Sequence, residues 1–180
     1  GNDTLNGGDG NDQISGNFGD DTISGGNGND SIAGNAGTNS LNGNAGINEL
    51  YYVNSTQSAV VNLSTGTGTG SGTDSFSNFQ NIKGSAFSDS LTGSSAANAI
   101  FGGTGTDVAY YANSSVAVNV SLQAGTAVGS DRSDTLFNVE NITGSPYADT
   151  LVGDSGVNSI NGGDGDDLIS GLGGDDSLYG

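Results

Sequence analysis

Cysteine, histidine, methionine and tryptophan are absent from this 180-residue sequence, proline occurs once, and lysine and arginine together number 2. Without cysteine no disulfide can staple the fold, and that absence decides nothing about compartment. Without cysteine or histidine a soft metal has no ligands, and the common nucleophile–base pairs of catalysis have no members. Two cations against 20 acids give a net charge of −18, which repels nucleic acid and anionic lipid alike. No apolar run approaches the ~20 residues of a membrane span. Residues 1–15 lack a basic, then apolar, leader pattern. Large apolar side chains are sparse, so a thick globular core is not expected.

Glycine and aspartate are what the chain has instead. Gly accounts for 34 residues, and 18 of the 20 acids are Asp, most of them inside Gly-rich turns. The sequence repeats with a period of nine. GGDGNDQIS (7–15), GNFGDDTIS (16–24), GGNGNDSIA (25–33), GNAGTNSLN (34–42) and GNAGINELY (43–51) run without a gap after a partial copy at 1–6. The period returns at 84–110 and at 144–179. Position one is Gly in every complete copy. Position six is Asp or Asn, and position eight is apolar, from Leu5, Ile14, Ile23 and Ile32 through to Leu178, with Ala109 the smallest.

Those three positions have a physical reading. Six residues rich in Gly and Asn can turn through positive φ at little steric cost. The next three form a very short strand with one side chain pointing inward. Two copies, about 18 residues, complete a coil, and coils stack as parallel strands about 4.8 Å apart. One apolar side chain per nine residues is too little to offset the ordering of nine backbone residues. Something besides apolar burial must therefore hold the turns. Stacking brings Asp3 to Asp21, Asp12 to Asp30, Asp89 to Asp107 and Asp149 to Asp167. Paired carboxylates repel unless a hard divalent cation lies between them, and turn carbonyls would complete the all-oxygen shell that Ca²⁺ prefers.

The copies GGDGNDQIS, GGNGNDSIA and GGTGTDVAY carry the pattern G-G-x-G-x-D-x-U-x, and the chain resembles the RTX (repeats-in-toxin, haemolysin-type) calcium-binding family over about two-thirds of its length. The resemblance implies an all-β, right-handed parallel β-roll with several Ca²⁺ ions between turns of adjacent coils. It implies side-chain ligation by Asp3, Asp12, Asp21, Asp30, Asp89, Asp107, Asp149, Asp167 and Asp176. Backbone carbonyls of positions one to four would join them: Gly7, Gly8, Asp9 and Gly10; Gly16, Asn17, Phe18 and Gly19; Gly25, Gly26, Asn27 and Gly28; Gly102, Gly103, Thr104 and Gly105; Gly162, Gly163, Asp164 and Gly165. Asn39, Asn48, Asn98 and Asn158 replace the acid and make weaker ligands, so their sites are expected to be weak or empty. Phe87 and Tyr147 stand where position four is usually Gly, which sets the turns at Asp89 and Asp149 apart. The further acids Asp9, Asp20, Asp164, Asp166 and Asp175 are read as outward solvating charges, and Asp74, Asp134 and Glu140 as turn residues.

Spacers 52–83 and 111–143 repeat each other at an offset of about 60. Their alternation signals strands, and their apolar steps (Phe76, Phe79, Ile82; Leu136, Val139, Ile142) are read as better-packed coils of the same solenoid. The expected organisation is one elongated roll of about ten coils, roughly 50 Å long. Its parts are an RTX block at 1–51, a spacer at 52–83, a block at 84–110, a spacer at 111–143 and a block at 144–180. Tyr51, Tyr52, Tyr110 and Tyr111 are assigned to core packing or covering of the sheet edge over a sugar-binding platform. Starting and stopping inside a repeat, the chain reads as an excised piece whose open ends continue into more chain or neighbouring copies.

By function, the resemblance implies a calcium-binding structural module of a larger secreted bacterial protein of adhesin, S-layer or filament type. Such a module leaves the cell unfolded by type I secretion and folds on calcium outside. The alternative is an accessory roll of a secreted exoenzyme (protease, lipase or alginate epimerase-like) with catalysis elsewhere. Within these residues no nucleophile with a base is found. Ice binding requires a repeated Thr row, which position three (Asp9, Phe18, Asn27, Ala36, Ala45) does not supply.

Overall fold

The computed structural model describes residues 1–129 and 133–180; Arg132, one of the two cations, lies outside the described residues. Every regular element among them is a β-strand, in two sheets. The first sheet has 11 strands, in spatial order β1 (Thr4–Asp9), β3 (Thr22–Asn27), β5 (Thr38–Ala45), β9 (Thr73–Ser77), β8 (Thr67–Thr69), β7 (Val60–Asn62), β11 (Ser90–Thr92), β13 (Val108–Tyr110), β17 (Asn141–Thr143), β19 (Ser159–Asn161) and β21 (Ser177–Tyr179). The second has 10: β2 (Gln13–Ser15), β4 (Ser31–Ala33), β6 (Glu49–Tyr51), β10 (Asn81–Lys83), β12 (Ala99–Phe101), β16 (Ser133–Phe137), β15 (Thr126–Val128), β14 (Asn119–Ser121), β18 (Thr150–Val152) and β20 (Leu168–Ser170).

Within the repeat blocks the strands alternate between sheets and pair in parallel with a shift of one coil. Leu5 lies beside Ile23 and Ile23 beside Leu41, while Ile14 lies beside Ile32 and Ile32 beside Leu50. The third block repeats this with Leu151 beside Ile169 and Ile160 beside Leu178. The position-eight residues Ile23, Ile32, Leu41, Leu50, Leu91, Ile100, Ala109, Leu151 and Ile160 are all buried, so the core is the single ladder that the period demands. At the ends of the stack, with a neighbour on one side only, Leu5, Ile14 and Ile169 are partly buried and Leu178 is 46% exposed.

The spacers stay in the stack but are not plain coils. Each contributes an antiparallel meander to one sheet: β7 pairs with β8 and β8 with β9, then β14 with β15 and β15 with β16. The chain steps ahead along the stack and folds back toward the preceding block. Left-handed glycines, Gly66 (φ 69°) and Gly125 (φ 65°), make the hairpins possible. Block two holds three strands, an odd number, so the two meanders fall on opposite sheets. After each meander comes a shortened turn with a left-handed Asn, Asn78 (φ 62°) or Asn138 (φ 49°), followed by a buried Phe79 or Val139. Tyr52 and Tyr111 are buried, in keeping with core packing, whereas Tyr51 and Tyr110 are half-buried. The Lys83 ammonium lies 5.4 Å from the centre of the Tyr51 ring.

Candidate metal centres

Position six stands at the start of the strand segment, just before it in most copies and within β5 at Asn39, and stacking lines these side chains along the two edges of the roll. Asp21, Asp30, Asn39, Asn48, Asp89, Asn98, Asp107, Asp149 and Asn158 are buried, whereas Asp3 at the open end is exposed. Each side chain reaches back one coil. Asp21 Oδ1 accepts the Asp3 N–H at 2.8 Å, Asp30 Oδ1 that of Asp12 at 2.9 Å, Asp107 Oδ1 that of Asp89 at 2.8 Å, and Asp167 Oδ1 that of Asp149 at 2.8 Å. Asp176 does the same for Asn158. All four acid pairs expected from the repeat are thus brought together.

One oxygen of each of these five carboxylates is used in this way, and the other oxygen distinguishes the turns. Oδ2 of Asp12, Asp21, Asp30, Asp107 and Asp167 is buried with no hydrogen-bond partner. In these five turns position two is left-handed: Gly8 (φ 97°), Asn17 (67°), Gly26 (113°), Gly103 (114°) and Gly163 (101°). At Asp89 and Asp149 position two is serine. Ser85 donates its N–H to Asp89 Oδ2 and its hydroxyl to Oδ1, both at 2.6 Å. Ser145 does the same to Asp149, at 2.5 and 2.6 Å. Ala59 and Val118 N–H groups donate to these same Oδ1 atoms. These two carboxylates therefore have their hydrogen bonds from the protein. Phe87 and Tyr147 leave the turns closed, with both rings 45–46% exposed. The serine at position two, readable in the sequence, is the signal that the repeat pattern alone passes over.

The orphaned oxygens have oxygen neighbours. A β-carbon on Gly25 would strike both Asp30 Oδ2 and the Gly43 carbonyl; on Gly7 it would strike Asp12 Oδ2 and the Gly25 carbonyl; on Gly16, Asp21 Oδ2 and the Gly34 carbonyl. Position one is glycine because two oxygens crowd it, the carboxylate of its own turn and a carbonyl of the next coil. A buried carboxylate oxygen facing a carbonyl has no proton to share, so it fits a hard cation better than it fits nothing. The position-three carbonyls of Asn27, Ala36 and Ala45 accept the N–H groups of Gly10, Gly19 and Gly28 at 2.8–3.1 Å, and each keeps a second lone pair. Among the described residues no three acidic side chains gather as a cluster, so a cation here draws much of its shell from the backbone.

The asparagines behave differently from the aspartates. Asn39 Nδ2 donates to Asp74 Oδ1 at 2.7 Å, Asn48 Nδ2 to the Asn78 carbonyl at 3.1 Å, and Asn98 and Asn158 to the Gln80 and Glu140 carbonyls at 2.7 Å. An amide thus supplies its own positive end where a carboxylate leaves a gap. Asp74 and Asp134, taken as turn residues from sequence, are buried members of the same edge rows and accept hydrogen bonds from the Tyr52 and Tyr111 hydroxyls at 2.6 and 3.2 Å. Burial raises the Asp74 carboxyl above its ordinary range, against the lowering effect of Tyr52 and Asn39. Burial, and then Asp74, push the Tyr52 phenol up as well. Gln80 and Glu140 fill the position-six place after the shortened turns, accepting the N–H groups of Asn48 and Asp107. Their role was hidden because the turn before them is shorter than the repeat. Asp9, Asp20, Asp164, Asp166 and Asp175 are all exposed, and two of them also link coils: Asp20 accepts the Thr38 N–H and Asp9 the Asn27 amide, both at 2.8 Å.

A family model described as RTX calcium-binding nonapeptide repeat (4 copies) matches residues 1–32, 15–50, 79–109 and 143–180, about two-thirds of the chain. No curated protein matches the sequence.

Proposed function

The chain belongs to the RTX calcium-binding nonapeptide repeat family, and from that premise we propose that it is a calcium-clipped structural module of a larger secreted bacterial protein of adhesin, S-layer or filament type. The repeat is a structural calcium-binding unit, not catalytic by itself. The observation that carries the reading is the set of five buried carboxylate oxygens with no partner. Uncompensated buried charge opposes folding, and a cation that binds only the folded turns reverses the balance by mass action. Asp12, Asp21 and Asp30 hold the best-supplied ions, each between its own turn and the following coil, with the carbonyls of Gly25, Gly34 and Gly43 respectively. Asp167 and Asp176 carry the third block. Asp89 and Asp149 act chiefly as turn locks through their serines.

Folding is then a response to calcium. With a net charge of −18 the ion-free chain is held open by repulsion, and millimolar calcium outside the cell closes it coil by coil. Type I export in the unfolded state and a cell-surface or extracellular site of action accord with that requirement. The roll works as one elongated unit. An accessory roll beside a secreted catalytic domain is the second reading, and flanking sequence carrying a catalytic motif would favour it.

The test is a calcium titration followed by far-UV circular dichroism, with magnesium as control. A coil-to-β transition with calcium alone, reversed by chelator, is expected. A β spectrum indifferent to chelator would remove the ion from the folding account.

A further inference from the structure

The two spacers join their preceding blocks through equivalent contacts that differ in charge. At the first junction Gln80 Oε1 accepts the Asn48 N–H at 2.7 Å, and Asn48 Nδ2 donates to the Asn78 carbonyl at 3.1 Å. The Asn48 amide is matched at both ends, its Oδ1 accepting the Asp30 N–H, and no ion is required. At the second junction, about 60 residues on, the places of Asn48, Asn78 and Gln80 are taken by Asp107, Asn138 and Glu140. Glu140 Oε2 accepts the Asp107 N–H at 2.8 Å, so the backbone geometry is kept. The donor is not. Asp107 Oδ2 and the Asn138 carbonyl converge on the point that a Gly102 β-carbon would occupy, as Asn48 Nδ2 and the Asn78 carbonyl converge at Gly43. Asp107 is fully buried and this oxygen has no partner.

Rejecting an ion between Asp107 and Asp89 follows from the same geometry. Both Asp89 oxygens are bonded by Ser85, whereas Asp107 Oδ2 lies on the opposite side of its turn, toward the spacer. The charged neighbours acting on Asp107 are the acids Asp89 and Glu140. The described cation, Lys83, sits over Tyr51. Two oxygens face each other across a gap that a proton-bearing amide fills in the sister junction, and the added negative charge of Glu140 stands beside it.

We propose that Asp107, Glu140 and the Asn138 carbonyl hold a calcium ion at the junction of the second repeat block and the second spacer, a site half of which lies outside the repeat. Residues 110–142 fall between the segments matched by the repeat family, so the spacer is a contributor of ligands and not only of packing. The first junction, with its neutral Asn48–Gln80 pair, is the ion-free version of the same joint. This inference rests on the calcium reading above, and its test separates the two.

The whole 180-residue chain and its variants are titrated with calcium chloride by isothermal calorimetry, and bound ions are counted by native mass spectrometry. Glu140→Gln keeps an oxygen for the Asp107 N–H, as Gln80 does for Asn48, and removes only charge. It should fold normally in calcium by circular dichroism while losing one ion or binding it measurably more weakly. The converse variant, Asn48→Asp with Gln80→Glu, should gain an ion at the first junction. Unchanged ion count and affinities in Glu140→Gln would overturn the spacer site, while leaving the clips of the first block intact. A wild-type chain that binds no calcium would sink the parent reading itself.

Discussion

Gly25 and Asp30 show how closely each residue of a turn is determined by its neighbours in the next coil. Asp30 Oδ2 and the Gly43 carbonyl both press on the place where a Gly25 side chain would begin. Gly25→Ala should therefore destabilise the calcium-bound chain by about 1–3 kcal/mol, the range for overpacking. The midpoint of the calcium titration should also move to higher concentration. Asp107 predicts a pH effect. Burial chiefly, opposed by the Asp89 hydrogen bond and aided by repulsion from Asp89 and Glu140, raises its carboxyl from 3.8 to about 6. Between those values the folded chain holds a proton that the unfolded chain has released. Stability from this group is present below about pH 4 and is lost as pH rises to 6. In chelator, the β signal should be larger at acid pH within this window than above it, and Asp107→Asn should remove that group's share. The repeat pattern made these aspartates legible; whether Oδ2 is free was not, because that depends on the φ of position two and on the backbone N–H groups that Ser85 and Ser145 turn toward it.

At the scale of the element, the short strands are stable only as members of a ladder. A three-residue strand such as β4 has one inward side chain, Ile32, and depends on Ile14 and Leu50 beside it. The meanders are built differently. Their antiparallel strands surround a buried Tyr–Asp pair, Tyr52 with Asp74 in the first spacer and Tyr111 with Asp134 in the second. Tyr52→Phe removes the phenol donor from Oδ2 of the buried Asp74, leaving only the Asn39 amide on Oδ1, and should destabilise the first spacer by about 1.5–3 kcal/mol, as expected for a hydrogen bond to a charged group. Urea melts in saturating calcium measure this. Calcium affinity of the Asp12–Asp30 turns should not change. Alternation in VVNLS and VAVNVSL revealed strands in the spacers, but not their direction. A single left-handed glycine, Gly66 or Gly125, decides between continuing the coil and folding back.

For the whole molecule, two kinds of stabilisation alternate along the stack. Repeat blocks carry orphaned carboxylates and a thin ladder, whereas the spacers carry Phe76, Phe79, Leu136 and Val139 and hydrogen-bonded acids. Adjacent coils contact only each other, so local opening is governed by neighbours. Hydrogen exchange in limiting calcium should find amides of β1 to β4 opening first and those of β7, β9, β14 and β16 last. Uniform exchange across blocks and spacers would show that the ions do not act block by block.

The sequence by itself determined the nine-residue period, the two-sheet stack, the buried position-eight ladder and the facing of Asp12 with Asp30. Each follows from local alternation and a constant spacing, which any stacked copy must obey. Only the tertiary structure decided which carboxylates are left unpaired, where the chain reverses, and that Glu140 stands in the row of Asp107. These rest in large part on contacts between segments 30 or more residues apart, where a backbone N–H or a side-chain oxygen arrives from another coil. Whether a buried charge is satisfied is a property of everything that surrounds it, and no spacing along one chain records that.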